Sequence, residues 1–282
     1  MPKIQTSQGT VYIKKKGKRS NKLPLISCHG GPGGTHLSIE PMLELSTNRQ
    51  VIVYDQIGSG QSSKINKTQM TINYFCKNLK DIIDYFKFKK VVLHGSSWGG
   101  TLILEFYKRY PEYVEGLIFH SSMLDEKLWR KDAESLIKKL PIKDQEIIKK
   151  CEDVGATDSK VYLESMERYY RKHVLRVPRD KPKSRSKSNR EIYQYMWGPS
   201  EFCATGTLKD YSGLNSLKKI NIPTLFICGE YDESMPRTNK FFSKQVSKSK
   251  LSIIKNASHS SLSEQKTLTL TEINNFLDHF NI

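Results

Sequence analysis

The strongest constraint on this chain is an alternation of short apolar runs, each long enough for one strand, with segments spaced like amphipathic helices. Val51-Ile-Val-Tyr54, Val91-Val-Leu93 and Thr224-Leu-Phe-Ile227 are continuous apolar runs, as strands covered on both faces require. The strand at Val51 to Asp55 precedes a helical pattern from Ile72 to Phe86. The strand at Lys90 to His94 precedes a helix that starts at Gly99 and stops before Pro111, and Val114 to His120 reads as the next strand. The pattern resumes with a strand at Thr224 to Cys228, a helix near Thr238 to Ser247, a strand at Leu251 to Lys255 and a terminal helix from Thr267 to Phe280. Such alternation predicts an α/β fold with a mostly parallel central sheet flanked by helices, because parallel neighbours need crossovers. Ahead of it, residues 10–28 read as two strands joined by the basic turn Lys16-Gly-Lys-Arg-Ser20, the second strand being Leu23 to Cys28.

From Asp125 to Gly213 the character changes to charged amphipathic segments such as Leu136-Ile-Lys-Lys-Leu140 and Tyr162 to Val174, with no strand-like run between them. The expected organisation is one core interrupted by an inserted helical cap: residues 1–124 and 214–282 form the core and 125–213 the cap. A chain of 282 residues suits one core with such an excursion.

The formal charge of +17 raises the question of a polyanionic partner. Much of that charge is local. Arg171, Lys172, Arg176, Arg179, Lys181, Lys183, Arg185, Lys187 and Arg190 are opposed only by Asp180, and a second cluster is Lys14 to Lys16 with Lys18 and Arg19. Neither cluster carries a nucleic-acid-binding motif, so they read as a solvated loop and a turn, and no nucleic-acid partner is expected. No apolar stretch approaches the roughly 18–20 residues that span a bilayer, and Met1-Pro-Lys-Ile4 does not open a signal peptide. Five widely spaced cysteines, without a CxxC pair, suggest neither a disulfide framework nor a zinc site. A cytoplasmic protein without metal or organic cofactor is expected; the oligomeric state is not legible.

Within the frame, Val91-Val-Leu-His-Gly-Ser-Ser-Trp-Gly-Gly100 places Gly95-x-Ser97-x-Gly99 between a buried strand and a helix, the setting that gives G-x-S-x-G its meaning. Glycines two residues to either side allow a turn in which any Cβ would collide with neighbouring backbone. Ser96 is the rival nucleophile, but no glycine stands two residues before it. The Trp98 N–H, at the helix start, points where an oxyanion would form, and the loop His29-Gly-Gly-Pro-Gly-Gly34 is suited to supply the second donor. That loop fits neither common phosphate-binding glycine pattern.

A serine at neutral pH needs a base that a carboxylate orients. His259, in the loop after the strand Leu251 to Lys255, is the candidate base; His279 falls in the terminal helix. Asp232, in Gly229-Glu-Tyr-Asp-Glu-Ser-Met-Pro236 after the strand Thr224 to Cys228, is the candidate acid. Asp55 is its rival, better read as a turn carboxylate, with Glu230 and Glu233 as further alternatives.

Beyond these residues, the chain resembles the proline iminopeptidases of the α/β-hydrolase superfamily. The resemblance is carried by His29-Gly-Gly-Pro-Gly33, Asp55-Gln with Gly58-Ser-Gly-Gln-Ser62, Gly95-Ser-Ser-Trp-Gly-Gly100, Gly198-Pro-Ser-Glu-Phe202 with Thr205-Gly-Thr-Leu-Lys-Asp210, and Gly229-Glu-Tyr-Asp-Glu233. It implies an α/β-hydrolase fold, the triad Ser97, Asp232 and His259, and oxyanion donors at Gly31 and Trp98. It further implies that Glu201 and Glu233 hold the free α-amine of a short peptide or aminoacyl amide, which would confine cleavage to the N-terminal residue. Without it, Glu201 would read as a helix cap and Glu233 as solvated. The competing readings are a carboxylesterase or lactonase with the same triad and a non-catalytic binding protein with a basic cap.

Overall fold

Alternate residues of each central strand feed opposite layers. Ile52 and Tyr54, Val91 and Leu93, and Leu117 and Phe119 pack into one apolar cluster, while Val51 and Val53, Val92, and Ile118 pack into the other. Strands buried on both faces must lie inside a sheet with helices above and below. Each fully buried Val, Ile, Leu or Phe contributes about 1.5–3 kcal/mol.

A computed structural model describes residues 2–178 and 187–282. Its strands are β1 (Lys3–Thr6), β2 (Gly9–Lys16), β3 (Leu25–Cys28), β4 (Val51–Tyr54), β5 (Val91–Ser96), β6 (Val114–His120), β7 (Thr224–Gly229) and β8 (Ser249–Ile254). Its helices are α1 (Ile72–Tyr85), α2 (Trp98–Arg109), α3 (Glu126–Ile137), α4 (Ile142–Asp153), α5 (Lys160–His173), α6 (Arg190–Met196), α7 (Leu214–Leu217), α8 (Pro236–Ser243), α9 (Ser261–Glu264) and α10 (Lys266–His279). The strands form one sheet in the order β1-β2-β4-β3-β5-β6-β7-β8. From β4 to β8 the neighbours are parallel, and β1 and β2 are antiparallel additions. The expected α/β architecture is the observed one.

α1 buries Phe75, Leu79, Ile82 and Ile83, one stripe at helical spacing. Thr71 starts it by accepting the Tyr74 N–H at 3.2 Å. This stripe and α2 cover one face of the sheet; Ile273, Phe276 and Leu277 of α10 cover the other.

The reading of residues 10–28 as a joined strand pair is corrected. β2 pairs with β1 and β4, and β3 lies on the far side of β4. All four residues of β3 are buried, so it needs a strand on each side. In β2, Val11 and Ile13 are buried while Tyr12 and Lys14 are partly exposed, the pattern of an antiparallel strand with one wetter face.

Helices α3 to α6 follow β6 and precede β7. The chain leaves and re-enters the sheet region at adjacent points: the Glu126 N–H donates to Tyr211 O and the Gly213 N–H to Leu124 O, both at 2.8 Å. Leu136, Ile148, Tyr162, Tyr169 and Phe202 form a separate apolar cluster within this excursion. Ile192, Met196 and Trp197 join the cluster of the sheet instead, so the excursion is packed onto the sheet as well as onto itself. Of the basic stretch, residues 179–186 lie outside the described residues; Arg171 pairs with Glu167 at 2.9 Å, and Arg176 stacks on Tyr231 at 3.9 Å. Among the described residues no helix is long and apolar enough to cross a membrane.

Candidate active site

Ser97 sits between β5 and α2 with φ 54° and ψ −120°, a conformation that L-residues avoid unless the surroundings enforce it. The glycines around it are steric requirements. A Cβ on Gly95 would lie 2.2 Å from Gly99 O, and one on Gly99 would lie 2.2 Å from Cys28 O. The turn is fixed by the Ser97 N–H donating to His120 O at 2.9 Å. Trp98 opens α2, so its N–H has no acceptor within the helix.

The glycine-rich loop is tied to this turn through Gln56. Its Nε2 donates to His29 O at 2.8 Å, its N–H to His29 Nε2 at 3.0 Å, and its Oε1 accepts the Trp98 indole N–H at 2.9 Å. Because His29 Nε2 accepts, Nδ1 carries the proton and donates to Gly30 O at 2.8 Å. Burial lowers the His29 pKa to about 4, so the ring stays neutral. Asp55 does not join the candidate triad. Its Oδ1 accepts the His36 N–H at 2.9 Å, with the His36 ring at 2.7 Å, and its Oδ2 accepts the Gln61 N–H at 2.9 Å. It is the turn carboxylate its surroundings predict.

Gly31, Trp98, Ser97 and Glu201 line one narrow pocket, walled by Pro32, Met123, Trp129, Trp197 and Leu208. Trp129 also packs edge-on against His259 with ring centroids 5.7 Å apart, so Ser97 and His259 flank the same indole. Its N–H donates to Glu201 O at 2.8 Å.

His259 Nδ1 lies 2.9 Å from Asp232 Oδ1. That oxygen also accepts the Ser234 N–H at 2.8 Å, while Oδ2 accepts the Gly229 N–H at 3.2 Å and the Ser121 hydroxyl at 2.5 Å. Burial disfavours the imidazolium, but the charge and hydrogen bond of Asp232, supported by Glu201 and Glu264, outweigh it and raise the His259 pKa. The end of α5 braces both loops: His173 O accepts the Glu233 N–H at 3.3 Å and the His259 N–H at 3.1 Å. The His173 Nδ1–H donates to Tyr231 O at 2.9 Å.

Glu233 is 1% exposed, which rules out the solvated reading. Its Oε1 lies 3.8 Å from His259 Nδ1, and neither of its oxygens accepts a hydrogen bond of normal geometry among the described residues. Burial, then the charges of Glu201 and Asp232, push its pKa well above the carboxylate range, with slight relief from the Tyr169 hydroxyl. The Glu201 N–H donates to the Tyr170 hydroxyl at 3.1 Å. Burial followed by the charges of these two glutamates raises the pKa values of Tyr169 and Tyr170. Burial and Glu201 do the same for Tyr193.

All seven residues singled out from the sequence therefore gather in one region. Trp129, Tyr169, Tyr170, His173 and Tyr193 were not anticipated. The available signal was the face of α5 shared by Tyr162, Tyr169 and His173, at spacings of seven and four; nothing in that spacing says the face meets the loops of Asp232 and His259. Among the described residues no cluster of His, Cys, Asp and Glu is arranged to hold a metal ion.

Comparison with known proteins places this geometry. The sequence pattern of the alpha/beta hydrolase fold matches residues 24–265. The chain is 33% identical over 280 residues to a proline iminopeptidase of Heyndrickxia coagulans, covering 98% of this chain and 97% of that one. It is also 33% identical over 276 residues to one of Saccharolobus solfataricus, covering 95% and 89%. The crystal structure of a Mycobacterium smegmatis proline iminopeptidase superimposes with a TM-score of 0.87 at 26% identity, covering 99% of this chain and 97% of the other. That of VinJ gives 0.91 at 28%, covering 99% and 98%. With the similarity running nearly end to end, the chain belongs to the proline iminopeptidase family of the alpha/beta hydrolase fold.

Proposed function

We propose that this protein is a serine aminopeptidase that releases the N-terminal residue, proline or another apolar residue, from short peptides or aminoacyl amides. The observation that carries the reading is Glu233: a buried carboxylate beside His259 and near Glu201, with neither oxygen in a normal hydrogen bond. A buried carboxylate facing a second carboxylate without a cation is unfavourable. The ammonium of a peptide N-terminus supplies both the charge and the donors that the Glu233 carboxylate lacks, and a blocked amine supplies neither.

In this mechanism the amine rests against Glu201 and Glu233 while the first side chain enters the pocket of Trp129, Trp197, Met123 and Leu208. His259 takes the proton of Ser97 as its hydroxyl attacks the first carbonyl, and Asp232 stabilises the imidazolium. The oxyanion is received by the N–H groups of Gly31 and Trp98. His259 then protonates the departing amine, and water, deprotonated by the same imidazole, releases the amino acid from Ser97. Residues 125–213 act as the cap that supplies Glu201 and most of the apolar wall. The unpaired thiols suit a reducing compartment, and we place the reaction in the cytoplasm.

The test is hydrolysis of aminoacyl-naphthylamides, with prolyl and alanyl substrates compared with their N-acetylated forms and a short nitrophenyl ester. Cleavage restricted to free-amine substrates is expected. Turnover of the ester with no cleavage of the amides would replace this reading by that of an esterase.

A further inference from the structure

In the sheet, β6 lies between β5, which leads into Ser97, and β7, which leads into the loop of Asp232. Its carboxyl end is thus placed to touch both loops, and three consecutive residues do so. The Ser121 hydroxyl donates to Asp232 Oδ2 at 2.5 Å, the Ser122 hydroxyl to Gly95 O at 3.1 Å, and the Met123 N–H to Ser97 O at 3.3 Å. Ser121 is fully buried and has φ 48°, in the left-handed region where a glycine would be unstrained. A strained, buried serine whose hydroxyl meets a carboxylate is explained by that contact rather than by the turn.

We propose that Ser121 is a positioning residue of the active site: by holding Asp232 Oδ2 it presents Oδ1 to the imidazole of His259. The inference rests on reading Ser97, His259 and Asp232 as a triad. A carboxylate whose second oxygen is held only by a longer contact is less firmly fixed about its Cβ–Cγ bond. Ser121 and the longer contact from the Gly229 N–H, at 3.2 Å, are the donors that Oδ2 has among the described residues. Without the Ser121 hydroxyl the carboxylate loses alignment, and its charge is less neutralised. His259, faced by Asp232 and Glu233 from the acid loop, Glu201 from the cap, Glu264 from α9 and His120 from β6, then holds its proton to higher pH.

The experiment uses Ser121→Gly, which removes the hydroxyl while relieving the backbone, and Ser121→Ala as the second variant. A fluorophosphonate probe reports the reactivity of Ser97 across pH without reference to any peptide. Hydrolysis of prolyl-naphthylamide and the thermal midpoint are recorded alongside. For Ser121→Gly the expected result is labelling and hydrolysis slowed roughly 10- to 100-fold, the range for losing one hydrogen bond to a charged group. The acidic limb of the pH profile should move to higher pH while the thermal midpoint stays near that of the unmodified protein. An unchanged rate and limb in both variants would overturn the proposal. So would a slower rate with an unmoved limb, or one that merely follows a lost thermal midpoint. Ser97→Ala separates the two levels: if it is labelled like the unmodified protein, the triad reading fails. If labelling needs Ser97 but no aminoacyl amide is cleaved, the substrate reading fails and the test of Ser121 stands.

Discussion

Replacing Glu233 by Gln tests the proposed amine site at the point where activity and stability should move in opposite directions. The side chain is 1% exposed, so Gln fills the same space and removes only the charge. The ammonium of the substrate then loses a charge-assisted hydrogen bond worth about 1.5–3 kcal/mol, and kcat/KM for prolyl-naphthylamide should fall roughly 10- to 100-fold. An N-acetylated substrate has no such bond to lose, so the preference for a free amine should narrow by the same factor. Stability should respond the other way. Because burial and the charges of Glu201 and Asp232 raise the pKa of Glu233, the folded state binds its proton more tightly than the unfolded chain does. As pH rises from the unfolded-state value of about 4.3 through the raised folded-state value, that advantage is lost. Gln does not titrate. Its thermal midpoint relative to the unmodified protein should therefore be higher at about pH 8 than at about pH 5, where the protonated acid is nearly isosteric with the amide. For a chain of 282 residues each kcal/mol corresponds to about 2 °C. Steady-state kinetics and calorimetry at the two pH values decide it. An unchanged free-amine preference, or a variant less stable at the higher pH, would refute the argument that a buried anion waits for a cation.

Four further outcomes are expected. Ser97→Ala should reduce kcat by about 10⁶ without altering the thermal midpoint by more than a few degrees, read by hydrolysis and melting. The kcat/KM profile should rise with pH through a half-point above the ordinary histidine value of 6.5, because Asp232 raises the pKa of His259 and the base must be neutral to act. The same shift means that His259 stabilises the fold fully below its unfolded-state pKa and loses that contribution as pH rises through the raised value, which melting curves across pH would register. Gly95→Ala brings a Cβ within 2.2 Å of Gly99 O, a clash with backbone that cannot swing aside. It should cost at least about 3 kcal/mol and the activity with it, as denaturant unfolding would show.

Much of the candidate site was legible before the fold because its parts are local. Gly95, Ser97 and Gly99 are bound to one another by the sterics of a single turn, and that turn needs a strand before it and a helix after it, both visible as periodicity. The order of Ser97, Asp232 and His259 followed from strands that could be counted. Glu201 and Glu233 needed the family resemblance, since a lone glutamate carries no sign of whether it will be buried. The burial of Glu233 arises only when the segment 125–213 meets the loop of Asp232.

What the sequence by itself determined is whatever depends on neighbours along the chain: the strands buried on two faces, the helical stripes, the strained turn at Ser97 and the glycines that permit it. The tertiary structure alone decided what depends on distant segments meeting. It set β2 against β4 rather than β3, because pairing is settled by which strands need cover on both sides. It also brought Tyr169, Tyr170 and Tyr193 around the glutamates, braced the Asp232 and His259 loops on His173, and placed the Ser121 hydroxyl on Asp232. Residues 121 and 232 are 111 positions apart, and no local preference of either anticipates the other; their contact exists because β6 and β7 are adjacent in the sheet.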